Sequence, residues 1–325
     1  METRTLNGLT LERIGRVGKI VKILPEKDSD IIFYQADFQG YEVKRVPYFI
    51  ILPFSWAITV WIFFKKRLLG VNCKTNSFWV DGISPVVREI KEKAGSWRAL
   101  NIIYNCRFAK GNKAIDNYWL GIINAQAVRN RFKLVKRELK KIITELADKG
   151  EEIKLLSIAS GSAQTVFEAF KEIIEERNRS LIFKIILLDI DDTALEYARR
   201  LAKEHGIEQN VEFINRSTTD LEKASNGIRP NLIEMVGFLD YRPHEKAARL
   251  IKRIYNLLPP GGKFITANIC PNREQYFMKW VIDWPMIYRE PQELRKLVAE
   301  CGFEKCKIIC EPQKVHAVAI CQKPC

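Results

Sequence analysis

Residues 257–265 read Leu257-Leu258-Pro259-Pro260-Gly261-Gly262-Lys263-Phe264-Ile265, and this stretch decides the fold. Before it, 244–257 carries an amphipathic helical pattern; after it, 263–267 is an apolar strand. The paired prolines cannot continue a helix, and the paired glycines permit a tight reversal. Moving outward, the same alternation recurs. Strands at 154–159, 183–189, 211–214 and 231–236 are interleaved with helices at 163–176 and 193–205, the second stopped by Gly206. Downstream, a helix at 291–301 stops at Gly302, and strands at 305–311 and 316–321 close the chain as a hairpin. Upstream, Val128, Phe132, Val135, Leu139, Ile142 and Leu146 recur at steps of four and three, one apolar helical stripe. Apolar strands alternating with amphipathic helices imply an α/β fold. It is expected to be doubly wound over 124–325, with a mostly parallel seven-stranded sheet and an antiparallel C-terminal hairpin. A helical lid region at 65–123, a hydrophobic segment at 46–64 and an N-terminal region at 1–45 precede it. In the last, 20–24 and 30–38 read as short strands, to which no chemistry is assigned.

Apolar residues make up 47% of the 325-residue chain and charged residues 28%, which excludes a globally disordered protein. The formal net charge of +14 is unevenly placed. Residues 65–150 hold 19 Lys and Arg against 7 Asp and Glu, a net +12, while 1–64 and 151–325 are each near neutral at +1. Such a block attracts phosphate, on lipid headgroups or on nucleic acid. None of the eight cysteines forms a C-x-x-C pair, and none of the three histidines has zinc-ligand spacing to a cysteine, so no metal site is expected. Cys301, Cys306 and Cys310 read as buried structural thiols, and a chain of this size needs no disulfides, which favours a reducing compartment.

Residues 46–64 (VPYFIILPFSWAITVWIFF) contain no charge, and Lys65-Lys66-Arg67 follows at once. As a helix they would span about 28 Å, close to a bilayer core of roughly 30 Å. The segment starts too late and lacks the cleavage site of a secretory signal peptide. A membrane span is the first expectation; lying in one leaflet, or packing inside a folded domain, are the alternatives, and Pro53 would kink a helix here. Flanking charge would put the C-terminal side in the cytoplasm, with a soluble cytoplasmic protein as the alternative.

The candidate chemistry sits at strand ends. Strand 154–159 runs into Ala159-Ser160-Gly161-Ser162-Ala163 before a helix, a small-residue turn that lets backbone N–H groups approach a ligand beside a positive helix end. A tight turn without ligand is the plain alternative. The next strand ends in Asp189, 28 residues after Gly161, where a carboxylate can hold a ribose diol; NAD-binding proteins place an acid similarly. Asp191 or Asp192 suits a helix cap better.

The order of small-residue turn, LLDID at 187–191, LLPPGGKF at 257–264 and a final strand hairpin resembles the class I (Rossmann-like) S-adenosylmethionine (SAM)-dependent methyltransferases, over residues 124–325. NAQAVRNR (124–131), VGFLDY (236–241) and WPMIYREPQEL (284–294) further resemble a little-characterised branch of methyltransferases within them. The resemblance implies SAM as cofactor. It puts Ala159, Ser160 and Gly161 against the methionine part, Asp189 on the ribose hydroxyls and Ile190 beside the adenine. Ser217 and Thr218 take the adenine edge, and Gly237 and Phe238 line the sulfonium and the acceptor entrance. The chain departs from the family pattern at Ser157, where an acid often sits, at Ala159 and Ala163, which replace glycines, and at Ser217, where an acid is common.

Methyl transfer needs a base only if the acceptor is protonated. Asp240 and Tyr241 are the candidates, ahead of His244; Asp240 could instead cap the following helix. Arg129, Arg131, Tyr288 and Arg289 are candidate contacts to an anionic substrate, with a plain salt bridge the alternative for each arginine. The leading expectation is therefore a membrane-associated methyltransferase acting on a small-molecule or lipid-like acceptor. Competing readings are a nucleic-acid methyltransferase or binder using the basic 65–150 segment, an aminopropyl transferase, and a SAM-binding protein without turnover.

Overall fold

A computed structural model describes residues 3–6, 9–12, 31–33, 40–43, 48–70, 78–105, 113–177, 181–225 and 227–325. The strand expected at 20–24 and the start of the hydrophobic segment at 46–47 lie outside the described residues.

The N-terminal region contributes a two-stranded hairpin, β1 (Thr3–Leu6) and β2 (Leu9–Glu12), and a short strand β3 (Ile31–Phe33). Helices α1 (Tyr48–Leu69), α2 (Pro85–Glu92), α3 (Trp97–Asn105) and α4 (Lys113–Trp119) follow, then the long α5 (Ile123–Asp148). From there strands and helices alternate: β4 (Ile153–Ile158), α6 (Gln164–Glu176), β5 (Phe183–Asp189), α7 (Asp192–Glu204) and β6 (Val211–Asn215). The short α8 (Leu221–Ala224), β7 (Leu232–Met235), α9 (His244–Leu257) and β8 (Lys263–Ile269) come next. The chain ends with α10 (Gln275–Trp280), α11 (Pro291–Glu300), β9 (Lys305–Cys310) and β10 (His316–Gln322).

Strands β4 to β10 form the expected seven-stranded mixed sheet, and β3 adds an eighth strand parallel to β9 at its edge, in the order β3-β9-β10-β8-β7-β4-β5-β6. Only β10 runs antiparallel to its neighbours β8 and β9. The central strands are apolar on both faces because helices cover both. Leu156, Ile158, Ile186 and Leu188 face α9 and α11; Leu155, Ile185 and Leu187 face α5, α6 and α7. At the Pro-Pro-Gly-Gly turn, Gly261 has φ +76°, and a Cβ on Gly262 would come 2.9 Å from the Pro259 carbonyl, so both glycines are required by geometry. Asp191, as expected, caps α7, its side chain accepting from Thr193 N–H at 2.9 Å.

Helix α10 was not legible in the sequence, yet the loop leading into it places α5. Helix α5 has no side-chain cap from its own N-cap residue, Ile122. Glu274 supplies one from 150 residues away, accepting from Ile123 N–H at 3.0 Å and from Asn124 N–H at 2.8 Å.

The expectation of a transmembrane helix at 46–64 is corrected by the structure. Among the described residues no helix is long and apolar enough to cross a membrane. Helix α1 carries Lys65, Lys66 and Arg67 within its own length. Its apolar side is used for packing: Ile58 and Ile62 are buried with Val80, Val281 and Ile282, Phe63 lies edge-on to Trp280, and Lys66 pairs with Asp283. The thiol reading also changes in one place. Cys306 and Cys321 oppose each other across β9 and β10 and are joined as a disulfide, whereas Cys301 and Cys310 are buried and free.

Glu274→Ala removes the carboxylate that terminates α5. It is expected to cost about 1–3 kcal/mol of stability, read as a lower midpoint in urea denaturation.

Candidate active site

At the sheet's carboxyl edge the strand order reverses at β4, with β5 on one side and β7 on the other, which opens a crevice between their following turns. The turn after β4 is strained. Ala159 and Ala163, the two alanines standing where the family pattern has glycines, both adopt the left-handed conformation, with φ of 52° and 50°. Asp189 holds this turn. Its Oδ2 accepts from Gly161 N–H at 2.7 Å and its Oδ1 from Asp191 N–H at 2.9 Å. Burial raises its carboxyl, an effect these backbone donors oppose.

The crevice is a cavity of about 380 Å³, within the roughly 300–1,000 Å³ typical of small-ligand sites. All nine expected cofactor positions, Ala159, Ser160, Gly161, Asp189, Ile190, Ser217, Thr218, Gly237 and Phe238, line it together. The Ser160 hydroxyl is buried and has no partner among the described residues. The cover comes from within the 65–123 region read as a helical lid, although none of its residues was singled out as part of the site. Trp97, Leu100 and Tyr104 of α3 close over the crevice, and the Trp97 indole N–H donates to Thr193 Oγ1 at 3.1 Å. A Cβ on Gly161 would come 3.4 Å from the Trp97 Cβ, so the glycine lets the lid sit down on the turn.

Glu234 was also missed as a wall of this cavity. It pairs in register with Ser157 across β7 and β4, and the Ser157 hydroxyl donates to it at 2.5 Å. The acid absent at Ser157 therefore arrives from the neighbouring strand. Burial pushes the Glu234 carboxyl up to about 7, against the Ser157 hydrogen bond, the Val236 N–H and the nearby Arg131.

A second, apolar cavity of about 60 Å³ adjoins the first, and Leu100, Gly237 and Tyr241 line both. Asp240 lines only the apolar one. It does not cap α9; it is buried, accepts from Ile269 N–H at 2.8 Å and faces Arg131 Nη1 at 3.7 Å. Burial raises its carboxyl against the pull of Arg131. Tyr241 sits at the junction, its hydroxyl accepting from Trp284 Nε1 at 2.6 Å, and burial drives its ionisation far upward. His244 is exposed and lies beside Glu300 instead.

The four expected substrate contacts separate. Arg131 reaches the apolar cavity. Arg129 spends its donors on Glu42 at 2.7–2.9 Å and on the Leu120 carbonyl, tying the N-terminal region to α5. Arg289 donates to the carbonyls of Leu239 and Arg242 and to Asn268, bracing the β7–α9 turn. Tyr288 packs with Ile269 and Val315 and lines neither cavity. Much of the basic stretch is likewise engaged within the chain: Lys136 and Lys140 ladder onto Glu168, Glu172 and Glu176 of α6.

A family model described as "Putative methyltransferase" matches residues 69–323. The chain belongs to this family. Among curated proteins it is 22% identical over 203 residues to the Uncharacterized protein YnbC of Escherichia coli (strain K12), covering 60% of this chain and 34% of YnbC. It is 24% identical over 217 residues to the Uncharacterized protein MJ0086 of Methanocaldococcus jannaschii, covering 66% of this chain and 53% of that one. The chain thus spans between a third and about half the length of the curated relatives it matches. Among solved structures it resembles one described as a possible exported protein from Bordetella parapertussis, with TM-score 0.59 at 16% identity over 72% of this chain and 81% of that one. It also resembles the S-adenosylmethionine-dependent methyltransferase SibL, with TM-score 0.50 at 15% identity over 74% of this chain and 69% of that one. Both likenesses are of fold, and the fold is that of SAM-dependent methyltransferases.

Because Glu234 titrates near 7 in the folded chain against an ordinary value of 4.5, the native state holds its proton across that interval. Its contribution to stability is complete below pH 4.5 and falls as pH rises toward 7. Glu234→Gln is expected to remove this slope, about 3 kcal/mol in all, when urea denaturation is compared between pH 5 and 8.

Proposed function

We propose that this protein transfers the methyl group of SAM to a small-molecule acceptor. The observation that carries the reading is the crevice at the β4 switch point, where the strained turn, the Asp189 carboxylate and the α3 lid enclose one cavity. Its residues suit the cofactor chemically. The partnerless Ser160 hydroxyl and the turn's N–H groups match an amino-acid carboxylate, and Asp189 matches a ribose diol. Ile190 would lie beside the adenine, with Ser217 and Thr218 at its edge. Gly237 and Phe238 would flank the sulfonium, and Glu234 supplies acid near a cation. Bound there, SAM supplies an electrophilic methyl group.

The chain itself provides alignment and exclusion of water. Trp97, Leu100 and Tyr104 roof the donor cavity, and Gly237 leaves the passage to the apolar cavity free of a side chain. That second cavity, about 60 Å³, holds on the order of five water-sized bodies. It suits a small acceptor rather than a polymer, and the pairing of Lys136 and Lys140 with α6 takes charge away from a nucleic-acid surface.

Calorimetry of SAM against the full chain tests the site. Asp189→Asn is expected to weaken binding about 10- to 100-fold through loss of charged hydrogen bonds. Unchanged affinity would remove the assignment. Labelled SAM incubated with small-molecule and RNA extracts should label only the former.

A further inference from the structure

The apolar cavity contains an unusual polar end. His316 of β10 is 2% exposed and lines it, yet neither ring nitrogen has a partner among the described residues. A neutral imidazole carries one donor and one acceptor, and leaving both unmet in an apolar site is costly. Arg131 of α5 is also buried and lines the same cavity, with its Nε unpartnered among the described residues. Its remaining contacts are loose: Tyr104 hydroxyl at 3.2 Å and Asp240 at 3.7 Å. A Cβ on Gly237 would meet the Arg131 guanidinium at 3.7 Å, so this cation sits at the passage from the donor cavity.

The neighbouring groups narrow the chemistry. Asp240 is held by the Ile269 N–H, on the β8 residue that pairs in register with His316. Tyr241 remains a neutral phenol with its own proton to give, since Trp284 donates to its oxygen. His316 differs from both in having neither ring nitrogen partnered among the described residues. Burial and the adjacent Arg131 keep it neutral. Most of the remaining wall is apolar, Val87, Ile90, Met278 and Ile282 among it, and Asn124, which also lines it, donates its amide N–H groups to Asn272 and Glu274.

We propose that this cavity takes a small acceptor with an apolar body and one acidic oxygen, a phenol or a carboxylic acid, whose oxyanion Arg131 holds and whose proton, where the acceptor is a phenol, passes to His316. The inference rests on the methyl-transfer reading above. A phenol's O–H bond gives its proton to the imidazole, whereas a carboxylic acid enters already ionised at neutral pH. An oxygen lone pair forms the new O–CH3 bond, and the C–S bond breaks with its electron pair retained by sulfur. His316 then releases the proton to solvent. A guanidinium at the passage favours an oxyanion there and disfavours a second cation, so amines are the wrong class.

The test uses the full chain, SAM, and a panel of small phenols and carboxylic acids, each with its matching amine and neutral methylated analogue. Acids are expected to bind at least tenfold more tightly than their analogues and to yield O-methyl products. Alkaline hydrolysis separates the sources, since a methyl ester releases labelled methanol and a methyl ether does not. With phenols, His316→Gln is expected to keep SAM affinity within about twofold and to lose about 10²- to 10⁴-fold in rate at neutral pH. Its residual rate should climb with pH as the phenol ionises unaided, which a purely structural histidine would not produce. Binding preference in the unmodified chain decides the matter even if that variant fails to fold. Amines methylated instead, no acid bound, or an unchanged rate and pH profile in His316→Gln would each overturn the inference while SAM binding persists. Absence of SAM binding would instead remove the underlying reading.

Discussion

The pairing of β4 with β5 on one edge and β7 on the other governs the rest of the molecule. Because the strand order reverses there, the turns after these strands diverge, and the gap between them cannot be filled by the sheet itself. Each feature of the site answers to that gap. The β4 turn is forced into left-handed backbone at two alanines, and the Asp189 carboxylate crosses it to hold the turn closed from β5. On the other side, Gly237 after β7 leaves space where a side chain would meet Arg131.

Covering the gap falls to helices outside the doubly wound core. Helix α5 carries Arg131 to the edge of the crevice, and its N-terminus is neutralised by Glu274 from the loop before α10. The same α10 packs on α1 through Phe63 and Trp280, and α4 stacks Trp119 on Phe277 at 5.5 Å. The aromatic, uncharged stretch that suggests a membrane in the sequence is therefore partly consumed in building the wall behind the apolar cavity. Trp56, Trp61 and Phe64 remain exposed on its far side.

What could be read from the sequence divides along physical lines. Strands and helices of the core were legible because both faces of the sheet are buried and the helices are amphipathic, so hydrophobic periodicity records them directly; β5 and α9 fall where the pattern puts them. The residues that line the crevice were legible because they follow strand ends in a fixed order. The apolar cavity was not. Its residues come from α2, α3, α5, α10 and β10, and only the folded chain brings them together. Arg129 and Arg131 are two residues apart on one helix, yet one braces Glu42 and the other faces a cavity, a difference of about half a helical turn that composition cannot show. Glu234 looked like an ordinary strand residue until its register opposite Ser157 put it in the crevice. His316 is a packed strand residue, and only the absence of partners for its two nitrogens among the described residues sets it apart.

Leu100 belongs to the walls of both cavities, as does Tyr241. Two compartments walled by one helix are coupled wherever an occupant of either one orders that helix. Any occupant that fixes α3 in place removes part of the ordering cost for the other, and reciprocity makes the coupling equal in both directions. Donor and acceptor would thus be sensed through one element, and a compound occupying either compartment would alter the apparent affinity measured at its neighbour.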